Sequence, residues 1–218
     1  MIKAVIFDMD GLMIESENLQ SEAFGIIIKK YEINPIKQAN GLIQTPGLSE
    51  RANWEILKKK HNLKEDTDIL IKKRNPIYLD ILKKNIVSKP GLIKLIKLLK
   101  NEQVLLAVAS SSGIEHIESV LGKLVITKEF NAVVSGQFIK NSKPAPDIFL
   151  EAAKQLGVKT NECLVLEDAE SGVEAGHRAG MEVIAVPNKY TKDNDFSKAD
   201  LTVKSLESID LSIINMLK

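Results

Sequence analysis

Residues 4–16 read AVIFDMDGLMIES. Ala4, Val5, Ile6 and Phe7 run into Asp8, Met9, Asp10 and Gly11, and an apolar triplet follows. A short β-branched and aromatic run ended by Asp-x-Asp-Gly predicts a buried strand over 3–8 that stops at a turn. Two carboxylates at the mouth of a core strand are costly unless something positive compensates them. Along an extended path residues i and i+2 point the same way, so Asp8 and Asp10 address one spot.

Outward from that strand the pattern changes twice. Segments 17–32, 49–60 and 67–84 carry apolar residues at three- and four-residue spacing and predict helices, with Pro35, Gly41 and "TPG" (45–47) as turns. After "VSKPG" (87–91) strands and helices alternate. Helices are expected at 91–101, 113–123, 146–156, 171–179 and 205–217, and strands at 104–109, 132–135, 163–167, 182–186 and 200–203. Alternation with short links is the signature of βαβ units in a parallel sheet covered on both faces. The expected fold is therefore α/β: a doubly wound, Rossmann-like parallel sheet core from residues 1–14 and 86–218, interrupted by an all-helical cap domain over 15–85.

Bulk composition narrows the class. A chain of 218 residues with 44% hydrophobic and 27% charged residues can bury a sizeable core. Its net charge of +1 offers no general attraction to nucleic acid or to an anionic membrane. No apolar run approaches the about 20 residues needed to span a bilayer. The N-terminus enters the strand pattern directly, without the charged region and cleavage site of a signal peptide. The single cysteine, Cys163, excludes a disulfide within one chain and reads as a small core residue. The expectation is a soluble, cytoplasmic monomer.

Open α/β sheets bind ligands beyond the carboxyl ends of their strands. The first strand delivers Asp8 and Asp10 there, the second Ser110, Ser111, Ser112 and Gly113. The third is followed by Lys143 in "NSKPAPD", and the fourth by Glu167 and Asp168. Acidic oxygens without His or Cys suit a hard cation, and Mg²⁺ fits. Alone, Glu167-Asp168 would be a solvated helix start; beside Asp8 and Asp10 it completes an oxygen donor set. The serine stretch sits at a helix N-terminus, a ready anion site, and Ser112 can cap that helix at the same time. Lys143, beside two prolines, supplies a fixed ammonium. The chemistry that fits is phosphoryl transfer through an aspartyl-phosphate, with a second carboxylate moving protons.

The motifs "DMDGLMIESE" (8–17), "ASS" (109–111), "SKPAPDIF" (142–149) and "LEDAESGVEAGHRAGM" (166–181) resemble, in order, the four motifs of the haloacid dehalogenase superfamily. The closest likeness is to its β-phosphoglucomutase-like phosphatases, in which a helical cap follows the first motif. The resemblance implies Asp8 as nucleophile and Asp10 as general acid/base. It implies that Ser110, the backbone N–H of Ser111 and Lys143 hold the phosphoryl group. Mg²⁺ would be bound by Asp8, the carbonyl of Asp10 and Asp168, with Glu167 as a further or outer ligand. The implied activity is hydrolysis of a small phosphorylated metabolite such as a sugar phosphate. A hexose-phosphate mutase with the same site is the alternative, and Gln20, where the mutases carry histidine, counts against it. Arg51 is a candidate for gripping a second phosphate, and Trp54 and the run Lys72, Lys73, Arg74 complete the cap candidates. A non-enzymatic phospho-receiver switch would need its acceptor Asp on a later strand, and here the third core strand ends in Ser135-Gly136.

Overall fold

A computed structural model describes residues 1–217 of the chain. Strand β1 (Ala4–Phe7) is buried along its whole length. Val5 and Phe7 enter one apolar cluster, Ala4 and Ile6 another. A strand buried on both faces belongs in the middle of a parallel sheet. Among the described residues that sheet has six strands: β1, β2 (Leu105–Ser110), β3 (Ala132–Ser135), β4 (Cys163–Glu167), β5 (Glu182–Ala185) and β6 (Leu201–Thr202). Their order is β3-β2-β1-β4-β5-β6, and every neighbouring pair is parallel. The chain winds outward from β1 to β3, then crosses to β4 and winds outward on the other side. The order reverses beside β1, which is where a doubly wound sheet opens a crevice. Phe7 lies in register with Val108 and Leu166, so Asp8, Ser110 and Glu167 emerge at one edge.

Between β1 and β2 lie α1 (Glu17–Lys29), α2 (Glu50–His61) and α3 (Thr67–Asn85), as the spacing predicts. Phe24, Ile27, Ile28, Trp54, Leu57 and Leu70 give these helices an apolar core of their own. Ser49 starts α2 by accepting the Ala52 N–H, and Asn62 ends it in the left-handed conformation. The two linkers of this segment are tied together: Ile14 bridges Ser88, and Lys89 N–H donates to Met13 O at 2.8 Å.

Helix α4 (Leu92–Asn101) and α5 (Ile114–Lys123) cover one face of the sheet through Leu95, Ile96, Leu99, Ile117 and Val120. On the other face α6 (Asp147–Leu156) and α7 (Glu170–Arg178) pack through Phe149, Ala152, Val173 and Ala175. The end of the chain departs from the expected single helix over 205–217. A 3-10 turn, Leu206–Ser208, is followed by a separate α8 (Leu211–Met216). The Asp210 carboxylate accepts the Ile213 N–H at 3.0 Å, and this side-chain bond starts a new helix instead of continuing the old one. Lys218, the last residue of the expected core range, lies outside the described residues.

Candidate active site

The buried Lys143 ammonium is the centre of the strand-end cluster. It donates to Asp8 Oδ1 and Glu167 Oε1, both at 2.6 Å, and to Ala109 O at 3.3 Å. Three acceptors for three N–H groups leave the ammonium satisfied. Burial works against its charge, but the Asp8 and Glu167 carboxylates outweigh burial, and the net shift is upward. Glu167 Oε2 accepts from the N–H groups of Asp168 (2.9 Å) and Ala169 (3.2 Å), so both oxygens of Glu167 are committed. Gly172 makes this possible: a Cβ there would overlap the Glu167 carboxylate.

Oxygens of Asp8, Glu167 and Asp168 lie within 4.8 Å of one another, all buried. Burial pushes the carboxyls of Asp8 and Asp168 well above the usual carboxylate range; the Glu167 charge adds to both, while Lys143 pulls the other way. With all three ionised, three carboxylates against one ammonium would leave two negative charges uncompensated in a buried site. An oxygen-only donor set with that deficit fits a divalent hard cation.

The carboxylate of Asp10 is not one of these three. Its Oδ1 accepts from Ser16 Oγ (2.5 Å), Gln20 Nε2 (3.1 Å) and Tyr78 Oη (3.3 Å). Its Oδ2 accepts from Ser112 Oγ (2.7 Å) and Ser110 Oγ (3.3 Å). Two of these donors come from the end of β2 and the loop after it and three from the helical segment, so Asp10 is a meeting point of both. Ser110 Oγ also accepts the Ser112 N–H at 3.1 Å, and Ser135 Oγ donates to Ser112 O at 2.7 Å, which holds the serine loop open at the start of α5. Asp8, Asp10, Gln20, Ser110, Ser111, Lys143, Glu167 and Asp168 all line one cavity.

The structure separates the remaining cap candidates. Arg51 does not reach the cavity: it pairs with Asp68, is more than half exposed and borders an outer groove. Trp54 is buried in the helical core edge-on to Phe24, with ring centroids 4.8 Å apart. Lys72 is exposed, and Lys73 pairs with Glu65 at 2.7 Å. Arg74, from the same basic run, turns inward and is only 2% exposed. Its guanidinium lies 4.1 Å from the Phe24 ring centre and 4.5 Å from that of Tyr78. Nη1 donates to Glu50 Oε1 at 3.0 Å, while Nε and Nη2 are buried without a partner beside the cavity. Sequence reasoning named this arginine among the cap candidates but missed that it is the member of the run that turns inward. The signal was its place midway between Leu70 and Tyr78, at four-residue spacing on the buried face of α3. Tyr78 and His116 were also missed; their rings meet edge-on at 4.8 Å in the cavity wall. Glu15, at the start of the helical segment, pairs with Lys189 beyond β5.

Comparison with known proteins agrees with this geometry. Residues 5–186 match the family model of the haloacid dehalogenase-like hydrolases. The chain is 31% identical over 84% of its length, and 84% of the relative's, to a phosphorylated carbohydrates phosphatase of Thermotoga maritima. It is 30% identical to the β-phosphoglucomutase of Bacillus subtilis, covering 98% of this chain and 94% of that one. Among solved structures, a β-phosphoglucomutase from Clostridium difficile superposes with a TM-score of 0.84 at 26% identity, covering 99% of this chain and 96% of that one. A family match across most of the chain, on a fold whose switch point carries the four motif clusters, has one meaning: the chain belongs to the haloacid dehalogenase superfamily, as one of its phosphatases, a phosphoric monoester hydrolase.

Proposed function

We propose that the chain is a Mg²⁺-dependent phosphatase that hydrolyses a small phosphorylated sugar, or a metabolite of similar size, through an aspartyl-phosphate on Asp8. The observation that carries the reading is the convergence of Asp8, Asp10, Ser110 and Lys143 on one cavity from distant parts of the chain. Asp8 attacks phosphorus; the new O–P bond forms as the bond to the substrate oxygen breaks, and Asp10 gives that oxygen its proton. Water then attacks the phosphoryl group, Asp10 takes the water proton, and the bond to Asp8 breaks to release inorganic phosphate. Lys143, Ser110 and the N–H groups at the start of α5 face the phosphoryl oxygens. Asp8, Asp168 and the Asp10 carbonyl would hold Mg²⁺, and Glu167 braces Asp8 through their shared Lys143. When bound, the ion supplies the positive charge that lets two anions approach.

The sugar class is supported by the relative named for phosphorylated carbohydrates and by the unpartnered N–H groups of Arg74, which suit a sugar hydroxyl or a second anionic group. We read residues 15–85 as a cap that opens on hinges near Ile14–Ser16 and Asn85–Lys89, and the protein as a cytoplasmic monomer. No helix among the described residues is long and apolar enough to cross a membrane.

Turnover of p-nitrophenyl phosphate should require Mg²⁺, stop in EDTA and vanish in Asp8→Asn and Asp10→Asn. Full activity of Asp8→Asn would reject the mechanism. The mutase reading is favoured by the same Arg74 edge, which could grip a second phosphate, and by the B. subtilis relative's name. β-Glucose 1-phosphate with a trace of the bisphosphate separates the two: release of inorganic phosphate supports the phosphatase, and glucose 6-phosphate without it supports the mutase.

A further inference from the structure

We propose that Asn188 is a positioning residue: its side-chain amide fixes the Asp168 carboxylate and thereby sets the affinity of the acidic cluster for its divalent cation. The inference rests on the reading of that cluster as a cation site. Asn188 follows β5 and lies just beyond the region matched by the family model, which ends at residue 186.

The orientation of the amide follows from its own loop. Asn188 Oδ1 accepts the Tyr190 N–H at 2.8 Å, the Asn188 N–H donates to Thr191 Oγ1 at 3.0 Å, and the Asn188 carbonyl accepts the Lys192 N–H at 2.9 Å. With Oδ1 committed, Nδ2 is the atom that faces the acidic cluster. It lies 2.7 Å from Asp168 Oδ2, 2.5 Å from Glu17 Oε1 and 3.3 Å from Gly11 O. Three acceptors around a group with two N–H bonds leave no donor capacity unused. The chain also makes room for this contact. Gly11 has φ +88°, and a Cβ there would overlap Asp168 Oδ2 and come within 2.8 Å of Asn188 Nδ2.

A neutral donor is the group this position calls for. Asp168 lies among the charges of Glu167, Asp8 and Glu17, and Glu17 Oε2 is itself buried without a partner. Two carboxylates sharing one amide are held apart in fixed directions. A lysine in the same place would hold them more strongly, but its charge would compete with the cation. Ligating groups are commonly oriented by such outer partners, and loss of one costs about 10- to 100-fold in metal affinity. Glu17 belongs to α1, so the amide that orients Asp168 also touches the helical segment.

Titration calorimetry with MgCl₂ alone, without substrate or phosphate, tests this on the full chain. Asn188→Ala and the near-isosteric Asn188→Leu should each bind Mg²⁺ at least about 10-fold more weakly than wild type, with melting temperatures in EDTA close to wild type. Wild-type affinity in both folded variants overturns the inference. Weakening in Ala that Leu restores overturns it too, because the role would then be packing. Should neither variant fold, the Asn188 side-chain amide resonance of the ¹⁵N-labelled wild type decides: it should shift on addition of MgCl₂, and an unmoved resonance overturns the inference. Failure of the wild type itself to bind Mg²⁺ would instead reject the cation site on which the inference rests.

Discussion

Asp8 and Asp10 are chemically alike and two residues apart, yet their surroundings give them different work. Asp8 is gripped by a buried ammonium and crowded by two other carboxylates. Asp10 is ringed by hydroxyls and one amide, neutral partners that can rearrange around a proton in transit. In the proposed mechanism, environment and not residue type separates Asp8 as nucleophile from Asp10 as proton carrier. Arg74 is the third residue whose role is set by its surroundings. Two aromatic faces and Glu50 fix its guanidinium, so binding a substrate oxygen there needs little further ordering. Arg74→Met should lower kcat/KM for a phosphorylated sugar by about 10- to 100-fold, mainly by raising KM. The loss should be smaller for p-nitrophenyl phosphate, which offers no sugar hydroxyl or second anion. Equal losses on both substrates would reject a substrate-facing role.

At the scale of the element, helix α2 carries an internal conflict. Its last turn, Lys58, Lys59, Lys60 and His61, suits the negative end of the helix dipole. His61 nevertheless turns inward, and both of its ring nitrogens are buried without a partner. Burial, helped by the Lys60 charge, holds its pKa below the ordinary value. The unfolded chain therefore takes up a proton first as pH falls through about 6.5, while the folded chain resists it. The contribution is present in full above that pH and is lost below it. The melting temperature should fall between pH 7.5 and pH 5.5, and His61→Leu should flatten part of that slope. His116, also lowered by burial, keeps its own share in this variant. An unchanged slope in His61→Leu would show that the acid sensitivity arises elsewhere.

At the scale of the whole molecule, the helical segment is joined to the sheet at several points around the cavity. Ser171 Oγ donates to Gly47 O at 2.9 Å, Glu15 pairs with Lys189, and Gln20 and Tyr78 reach Asp10. Gly47, Gln20 and Tyr78 line the same cavity as Asp8, so on the proposed reading entry of a sugar phosphate calls for the segment to move. The two linkers run side by side and exchange the Lys89–Met13 hydrogen bond, so both must bend together. Hydrogen exchange at 14–16 and 85–89 should slow when vanadate is added with Mg²⁺ and the closed form is held. Unchanged exchange in both linkers would reject closure about these hinges.

The α/β alternation, the strand that opens the chain and the four clusters at strand ends were legible in the sequence. They rest on local causes: the two-residue period of a strand, the fourfold spacing of a helix and the side chains that end each one. The split of the final helix was less legible, because Asp210 acts through a single side-chain bond. What only the tertiary structure decided is which charges meet. Arg51 and Arg74 look alike in sequence, but one finds Asp68 at the surface and the other two aromatic rings and an acid in the interior. Asn188 gave no local signal of its place at the acidic cluster, since its partners there, Gly11, Glu17 and Asp168, lie 20 to 177 residues away. Short-range pattern sets where strands and helices form. Long-range packing sets the dielectric and the neighbours of each polar group, and those determine what its chemistry can be.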